Sequence, residues 1–215
     1  MRVVAVVDLS VPLGSGTSVY PGDPRPRLRV HATVAHDGYN LLHVELGSQS
    51  GTHVDAPFHV RDDGARVDEL DLRQLSGPAV VVDLTALPRG GVITTAHLGP
   101  VLQRLGPGVV VLLHTGWTPA PGPLVLDHPT LDPAACRVLL ESGVRTVGID
   151  APSLDPPDRH LPCHHLLAAV GGVIAENLTA LGEVDALVDP LVCLFPIRLE
   201  GADGAPVRAV ALQLG

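Results

Sequence analysis

The segment GTHVDAPFH, Gly51 to His59, places two histidines, an aspartate and a proline within nine residues. Imidazole and carboxylate are the side chains that hold a divalent cation or move a proton near neutral pH. Read as a strand that begins in LGSQS, alternate side chains share a face. Gln49, Gly51, His53 and Asp55 then project to one side, and Thr52 and Val54 to the other. His53 and Asp55, two apart, form a bidentate metal pair, and the missing side chain at Gly51 leaves room for an ion or a substrate. Pro57 ends the ladder and turns the chain, so that His59 approaches the same space from another direction. A half-buried strand with a wet polar face is the alternative, but a cluster of this polarity is costly to bury unless it is paired or liganded.

One chemistry open to such a pair is hydrolysis, and enolisation or condensation is another. A divalent ion lowers the pKa of bound water to about 7, which supplies metal-bound hydroxide at neutral pH, and it polarises a substrate carbonyl. The remaining need is a proton carrier. His59, beyond the proline, is the candidate general acid/base that takes a proton from water and gives it to the leaving nitrogen.

The elements that must position these groups are mostly strands. Short apolar runs bounded by Gly, Pro and Asp recur: VVAVVDL, AVVVDLT, GVVVLLHTG, RTVGID, GGVIAEN, LVCLFPIRL and VRAVALQL. Continuous runs of this kind suit strands buried on both faces, whereas LLHVELG alternates like a half-exposed strand. Helices are expected over Thr95–Leu105, Asp132–Ser142 and His164–Val170. In the second of these, Asp132 is a natural N-cap, Pro133 takes the first helical position and Gly143 closes the end. The Pro-rich stretches PGDPRPR, TPAPGP and SLDPPDRHLP read as ordered loops. The result is one α/β domain over residues 1–215, a length and apolar content that support a single core.

Composition removes several alternatives. All 14 basic residues are arginine, so Schiff-base catalysis, pyridoxal phosphate attachment and a P-loop lysine are excluded. A net charge of −9 with scattered arginines gives no footprint for nucleic acid, and the few aromatics make no stacking platform. No run approaches the ~20 apolar residues of a membrane span, and MRVVAVVDLS lacks the pattern of a signal peptide. A soluble, cytoplasmic protein acting on a small molecule is expected. Cys136, Cys163 and Cys193 are expected to be reduced, with Cys193 in the core.

In its wider context the opening segment resembles the signature of the metal-dependent cyclase and kynurenine formamidase family, His-x-Gly-Thr-His-x-Asp-x-Pro-x-His, matched at Gly51, Thr52, His53, Asp55, Pro57 and His59. VYPGDP, HTGW, GIDAPSLDP, CHHLL, VIAEN and GADGAPVRAVALQL also look like that family, in order, over nearly the whole chain. The resemblance implies a swivelling β/β/α domain with a central mixed sheet, usually a homodimer or higher oligomer with the site near the interface. It implies one or two divalent metals, zinc or manganese, and hydrolysis of a small amide, formamide, cyclic imide or lactone. A metal-dependent dehydratase, a ring-closing cyclase and a non-catalytic ligand-binding relative are the other readings of the same residues.

The same resemblance implies the roles of further residues. A histidine followed twelve residues later by a glutamate is matched by His164 and Glu176, on a short helix, a turn and a strand. Asp55 and Glu176 would bridge two metals, with His53 on one and His164 on the other. Tyr20 would contact substrate. Gln49 departs from the pattern, standing where the family has its first histidine. A carboxamide oxygen is a weaker and harder ligand than imidazole and favours manganese or magnesium over zinc. It allows a retained weak ligand, a single ion or a changed substrate.

Other candidates have structural readings. His31, His36, His43, His97 and His128 read as surface or hydrogen-bonded structure, and His160 as a loop residue ahead of Pro162. Cys163 reads as a small residue near the site, a Cys/His/Asp triad being the weaker mechanism. His114, Trp117 and Ser153 lie where loops leave strands, and Ser153 suits a turn.

Overall fold

The burial of strand VVLLH on both of its faces governs the architecture. In the computed structural model, which describes residues 2–118, 126–158 and 160–215, the described strands run β1 Val3–Asp8, β2 Arg27–Ala32, β3 Leu41–Glu45, β4 His53–Asp55, β5 Ser76–Asp83, β6 Val92–Ile93, β7 Val110–His114, β8 Thr130–Leu131, β9 Thr146–Ile149, β10 Val173–Glu176, β11 Leu191–Cys193, β12 Gly204–Pro206 and β13 Val210–Leu214. The α-helices are α1 Val34–Asp37, α2 Thr95–Leu98, α3 Pro133–Glu141, α4 Pro162–Ala169 and α5 Leu181–Val184. Nine strands form one mixed sheet in the order β1-β13-β11-β5-β7-β9-β10-β4-β12. Its centre, β5-β7-β9-β10, is parallel, and the flanking pairs are antiparallel.

Parallel strands must be covered on both faces, and these are. Val110 and Leu112 of β7 enter one apolar cluster with Val54, Val173 and Ala175. Val111 and Leu113 enter the other, with Leu139 of α3, Leu167 of α4 and Ile174 of β10. The swivelling β/β/α type, a mixed α/β domain around a large curled sheet, is thus the architecture. The apolar runs singled out in the sequence supply β1, β3, β5, β7, β9, β10, β11 and β13.

Four readings change in detail. The helix expected over Thr95–Leu105 is a single α-turn, α2, followed by a 3-10 segment Gly99–Arg104. Pro100 has no N–H to continue an α-helix, so the tighter form takes over. The helix expected from His164 begins two residues earlier, because Pro162 is tolerated in a first turn. LLHVELG is exposed along its whole strand rather than on alternate residues: among the described residues β3 pairs only with β2, in a hairpin outside the large sheet. Cys193 is half-buried rather than core.

The Asp132 helix is as expected: Asp132 accepts the Ala134 N–H at 2.6 Å, and Gly143 follows with φ +92. Most of TPAPGP, and Arg159 within SLDPPDRHLP, lie outside the described residues. No helix among the described residues is long and apolar enough to cross a membrane.

Candidate metal centre

The register of two antiparallel strands assembles the site. His53 on β4 pairs with Glu176 on β10, and Asp55 pairs with Ile174. Val54 packs into one core, so its neighbours His53 and Asp55 face the opposite side of the sheet, where Glu176 also lies. Helix α4 lies over that face and adds His164. All four residues are buried, each at most 5 % exposed.

Their contacting atoms fall into two sets. His53 Nε2 lies 3.6 Å from Asp55 Oδ1 and 3.6 Å from Glu176 Oε2. His164 Nε2 lies 3.4 Å from Asp55 Oδ2 and 3.3 Å from Glu176 Oε1. Each carboxylate therefore offers one oxygen to each imidazole. These spacings are long for hydrogen bonds. They match ligand atoms held about 2.0–2.1 Å from a tetrahedral ion, which stand about 3.4 Å apart. Both Asp55 oxygens are buried without a hydrogen-bond partner among the described residues, as is Gln49 Oε1. A buried carboxylate left this way is costly unless a cation completes it, so the donor set fits one or two divalent ions.

The second nitrogen of each histidine is committed elsewhere, which fixes the tautomer. His53 Nδ1 donates to the Gly51 carbonyl at 2.8 Å. His164 Nδ1 donates to Asp155 Oδ2 at 2.7 Å, and the fully buried Asp155 also accepts the N–H groups of Cys163 and His164. Asp155 thereby caps α4, whose own N-cap position is Leu161 at φ +47 with no capping side chain. Glu176 Oε1 takes the Leu154 N–H at 3.1 Å.

The electrostatics express the same demand for positive charge. Burial works against a protonated His53, but the Glu176 and Asp55 carboxylates outweigh it and raise its pKa to about 9. Burial likewise opposes a charged His164, and Asp155, Asp55 and Glu176 raise it well above the imidazole norm. Glu176, although burial pushes it up, is held down at about 2 by His164 and His53.

His59 reaches the same space from a 3-10 turn, Pro57–His59, that the proline initiates. Its ring centroid is 6.0 Å from that of His164, and with Asp55 and His164 it makes a second cluster with metal-ligand spacing. His59 Nδ1 donates to Asp203 Oδ2 at 2.9 Å, and Asp203 Oδ2 also accepts from Gln49 Nε2 at 2.8 Å. His59 holds the Asp203 carboxyl far below the usual range, with Gln49 and Ser48 adding to it. Burial pulls His59 down, and Asp203 more than reverses it.

The strand reading of LGSQSGTH does not hold. Strand β4 starts only at His53, and Gly51 has φ +68, a left-handed turn that favours glycine. A Cβ at Gly51 would meet Leu13, 3.2 Å away, not the metal cluster, so its bareness serves the turn and not the ion. Gln49 reaches the site from this turn through its bond to Asp203. Asp155 and Asp203 are the residues that motif spacing missed. Asp155 lay unmarked within GIDAPSLDP and Asp203 within GADGAP, and each acts only across the fold.

A cavity of about 390 Å³ opens over the cluster, lined by Tyr20, Gln49, His53, His59, Trp117 and Leu161, among others. Ser153 also lines it, and its hydroxyl accepts the Asp155 N–H as the turn reading expects. His114 lies instead in a separate pocket with Asp150. His31, His36 and His43 are exposed, His97 accepts the Thr94 N–H at the start of α2, and His128 is buried with Nε2 3.2 Å from the Asp155 carbonyl. Cys163 is buried with its thiol directed at the Leu131 carbonyl, away from the cluster.

Fold and site together define a curled α/β sheet carrying a carboxylate–imidazole cluster at the floor of a pocket. The chain belongs to the Cyclase family, which it matches over residues 7–156. It is 35% identical over 216 residues to the kynurenine formamidase of Bacillus mycoides (strain KBAB4), covering 98% of each chain. To the kynurenine formamidase of Salinibacter ruber it is 35% identical over 213 residues, covering 96% of this chain and 97% of that one. Its fold is that of isatin hydrolase A from Labrenzia aggregata, with TM-score 0.84 at 24% identity over 98% of this chain and 94% of the other.

Proposed function

We propose that the protein is a metal-dependent hydrolase of non-peptide C–N bonds, acting on a small formamide, amide or cyclic imide. The observation that carries this reading is the sharing of Asp55 and Glu176 between His53 and His164, one oxygen to each imidazole. Full-length identity of 35% to kynurenine formamidases supports the same reaction class.

His53, Asp55, His164 and Glu176 would hold zinc or manganese, with Gln49 Oε1 as a further weak ligand. Divalent cations there supply Lewis acidity toward a carbonyl and a water acidic enough to ionise near neutral pH. The protein's own residues do the rest. Asp203 keeps the proton of His59 on Nδ1, so Nε2 is free to take a proton from the attacking water as it adds to the carbonyl carbon. As the C–N bond breaks, His59 returns that proton to the leaving nitrogen. Tyr20 and Trp117 give the cavity aromatic walls against which a planar substrate is held.

The cellular setting we assign is the cytoplasm, consistent with three unpaired thiols. We assign a homodimer because the β2–β3 hairpin exposes Val30, Leu42 and Val44, a patch of a kind that marks interaction surfaces. Scattering-coupled size exclusion reads this directly, and a monomer at micromolar concentration contradicts it.

The reaction is tested with an N-formyl arylamine and a cyclic imide, following product mass. Gain of one water is the expected result. Loss of water from an offered substrate assigns a dehydratase, and no turnover of either class overturns the proposal.

A further inference from the structure

We propose that Asp203 is a positioning residue that orders two site groups with one carboxylate, turning Gln49 Oε1 toward the metal cluster and His59 Nε2 toward the substrate. This rests on the functional reading above and assigns it a residue outside the signature. Asp203 immediately precedes β12, the edge strand paired to β4, and its own carbonyl accepts the Ala56 N–H at 2.9 Å. The carboxylate is thereby fixed to the same strand edge that carries His53 and Asp55.

Its two oxygens have distinct partners. Oδ1 accepts from the Ser48 hydroxyl at 2.8 Å, which sets the carboxylate plane. Oδ2 accepts from Gln49 Nε2 at 2.8 Å and from His59 Nδ1 at 2.9 Å. A carboxylate only accepts, so both neighbours must present a donor to it. For Gln49 this settles the amide: flipping it would set a carbonyl oxygen against Oδ2, and the observed orientation leaves Oε1 buried and partnerless. For His59 it settles the tautomer, with the proton on Nδ1. The close Gln49 Nε2 to His59 Nδ1 approach, 3.2 Å, is then two donors converging on one acceptor.

The backbone leaves little freedom for another arrangement. A Cβ at Gly204 would stand 2.8 Å from Gln49 Nε2 and 2.5 Å from the Val54 carbonyl. Glycine at 204 is what lets the Gln49 amide lie against the strand while it bonds to the preceding aspartate. A histidine in place of Gln49 would present a ring to the same carboxylate. A glutamine there presents an amide whose useful face is decided by Asp203 alone. The departure of this chain from its family signature therefore makes metal affinity depend on a residue far away in sequence.

Two double-mutant cycles test this, reading the metal dissociation constant by competition with a chelator as well as steady-state rates. Asp203→Asn weakens manganese binding by about tenfold, within the range of second-layer ligand supports. It lowers kcat by about a hundredfold, the low end of general acid/base contributions. In a Gln49→Ala background the same change alters metal affinity by less than about twofold, and in a His59→Ala background it alters kcat by less than about twofold. A residue that merely stabilised the loop would show its full losses in both backgrounds, and that result overturns the proposal. Nitrogen NMR of the unsubstituted protein, above the titration of His59, gives a readout that needs no variant. A proton on Nδ1 is expected with and without zinc, and a proton on Nε2 overturns the assignment. A protein that binds no divalent metal and turns over no substrate defeats the functional reading, whereas the tautomer result still judges Asp203.

Discussion

His53 and Glu176 are register partners across the antiparallel β4–β10 pair, with His53 Nε2 3.6 Å from Glu176 Oε2 and both side chains buried. Without a cation, protons must balance the charge of this pair, and that has a consequence for stability. His53 has its pKa raised from 6.5 to about 9, burial opposing the rise and Glu176 and Asp55 driving it. A raised histidine contributes stability in full below its unfolded pKa and loses it as pH climbs through the folded value. Glu176 is lowered from 4.5 to about 2, so its contribution is present above 4.5 and lost as pH falls through about 2. Denaturant melts of chelated protein should therefore show stability falling between pH 6.5 and 9. Added manganese or zinc should flatten that decline, because a cation replaces the proton. A metal-free protein that gains stability over this interval contradicts the charge assignment.

Asp155 is the support on which His164 depends. Asp155→Asn replaces one acceptor oxygen of a fully buried group that serves two backbone N–H groups and the His164 ring. Metal affinity is expected to fall ~10–100-fold, with a loss of roughly 1–3 kcal/mol in unfolding free energy from donors left unsatisfied. Chelator competition and urea melts on one preparation read both quantities, and unchanged affinity removes Asp155 from the site.

His59→Ala separates proton transfer from metal binding. The expected result is near-normal metal content with kcat reduced ~10²–10⁴-fold and KM changed far less. His59 also falls in a cluster with Asp55 and His164. Loss of about one metal equivalent in this variant would make it a ligand and not the proton carrier.

Gln49→His restores imidazole where the family signature has it. Nitrogen donors favour zinc relative to manganese more than a carboxamide oxygen does, so the ratio of zinc to manganese affinity should rise at least several-fold over the parent. Isothermal titration of both ions into both proteins measures the ratio. No change in it shows that the residue at 49 does not touch the metal.

Much of this arrangement was legible in the sequence because it depends on local pattern. Apolar runs such as VVLLH and TVGI have no polar face, and they form the central parallel strands. His53 and Asp55 share a face through strand alternation, and the His164 to Glu176 segment forms the expected helix, turn and strand. What failed was continuity. The parity argument carried the strand back to Gln49, but Gly51 turns the chain, and only a tertiary bond brings Gln49 to the site. Asp155 and Asp203 have no ligand spacing of their own. Each works by accepting from residues already placed by other elements, a relationship that exists only once α4 and β12 have docked against β4 and β10. Strand β2, RLRVHA, was not legible because exposed arginines interrupt its apolar pattern.

The central expectation is that turnover needs divalent ions, held where Asp55 and Glu176 each offer one oxygen to each of two imidazoles. Elemental analysis and formamide hydrolysis should be followed on one sample through exhaustive chelation and stepwise return of manganese or zinc. Activity should vanish as metal leaves and recover as divalent ion returns, saturating at one or two equivalents per chain. Full turnover with metal well below one equivalent would contradict it.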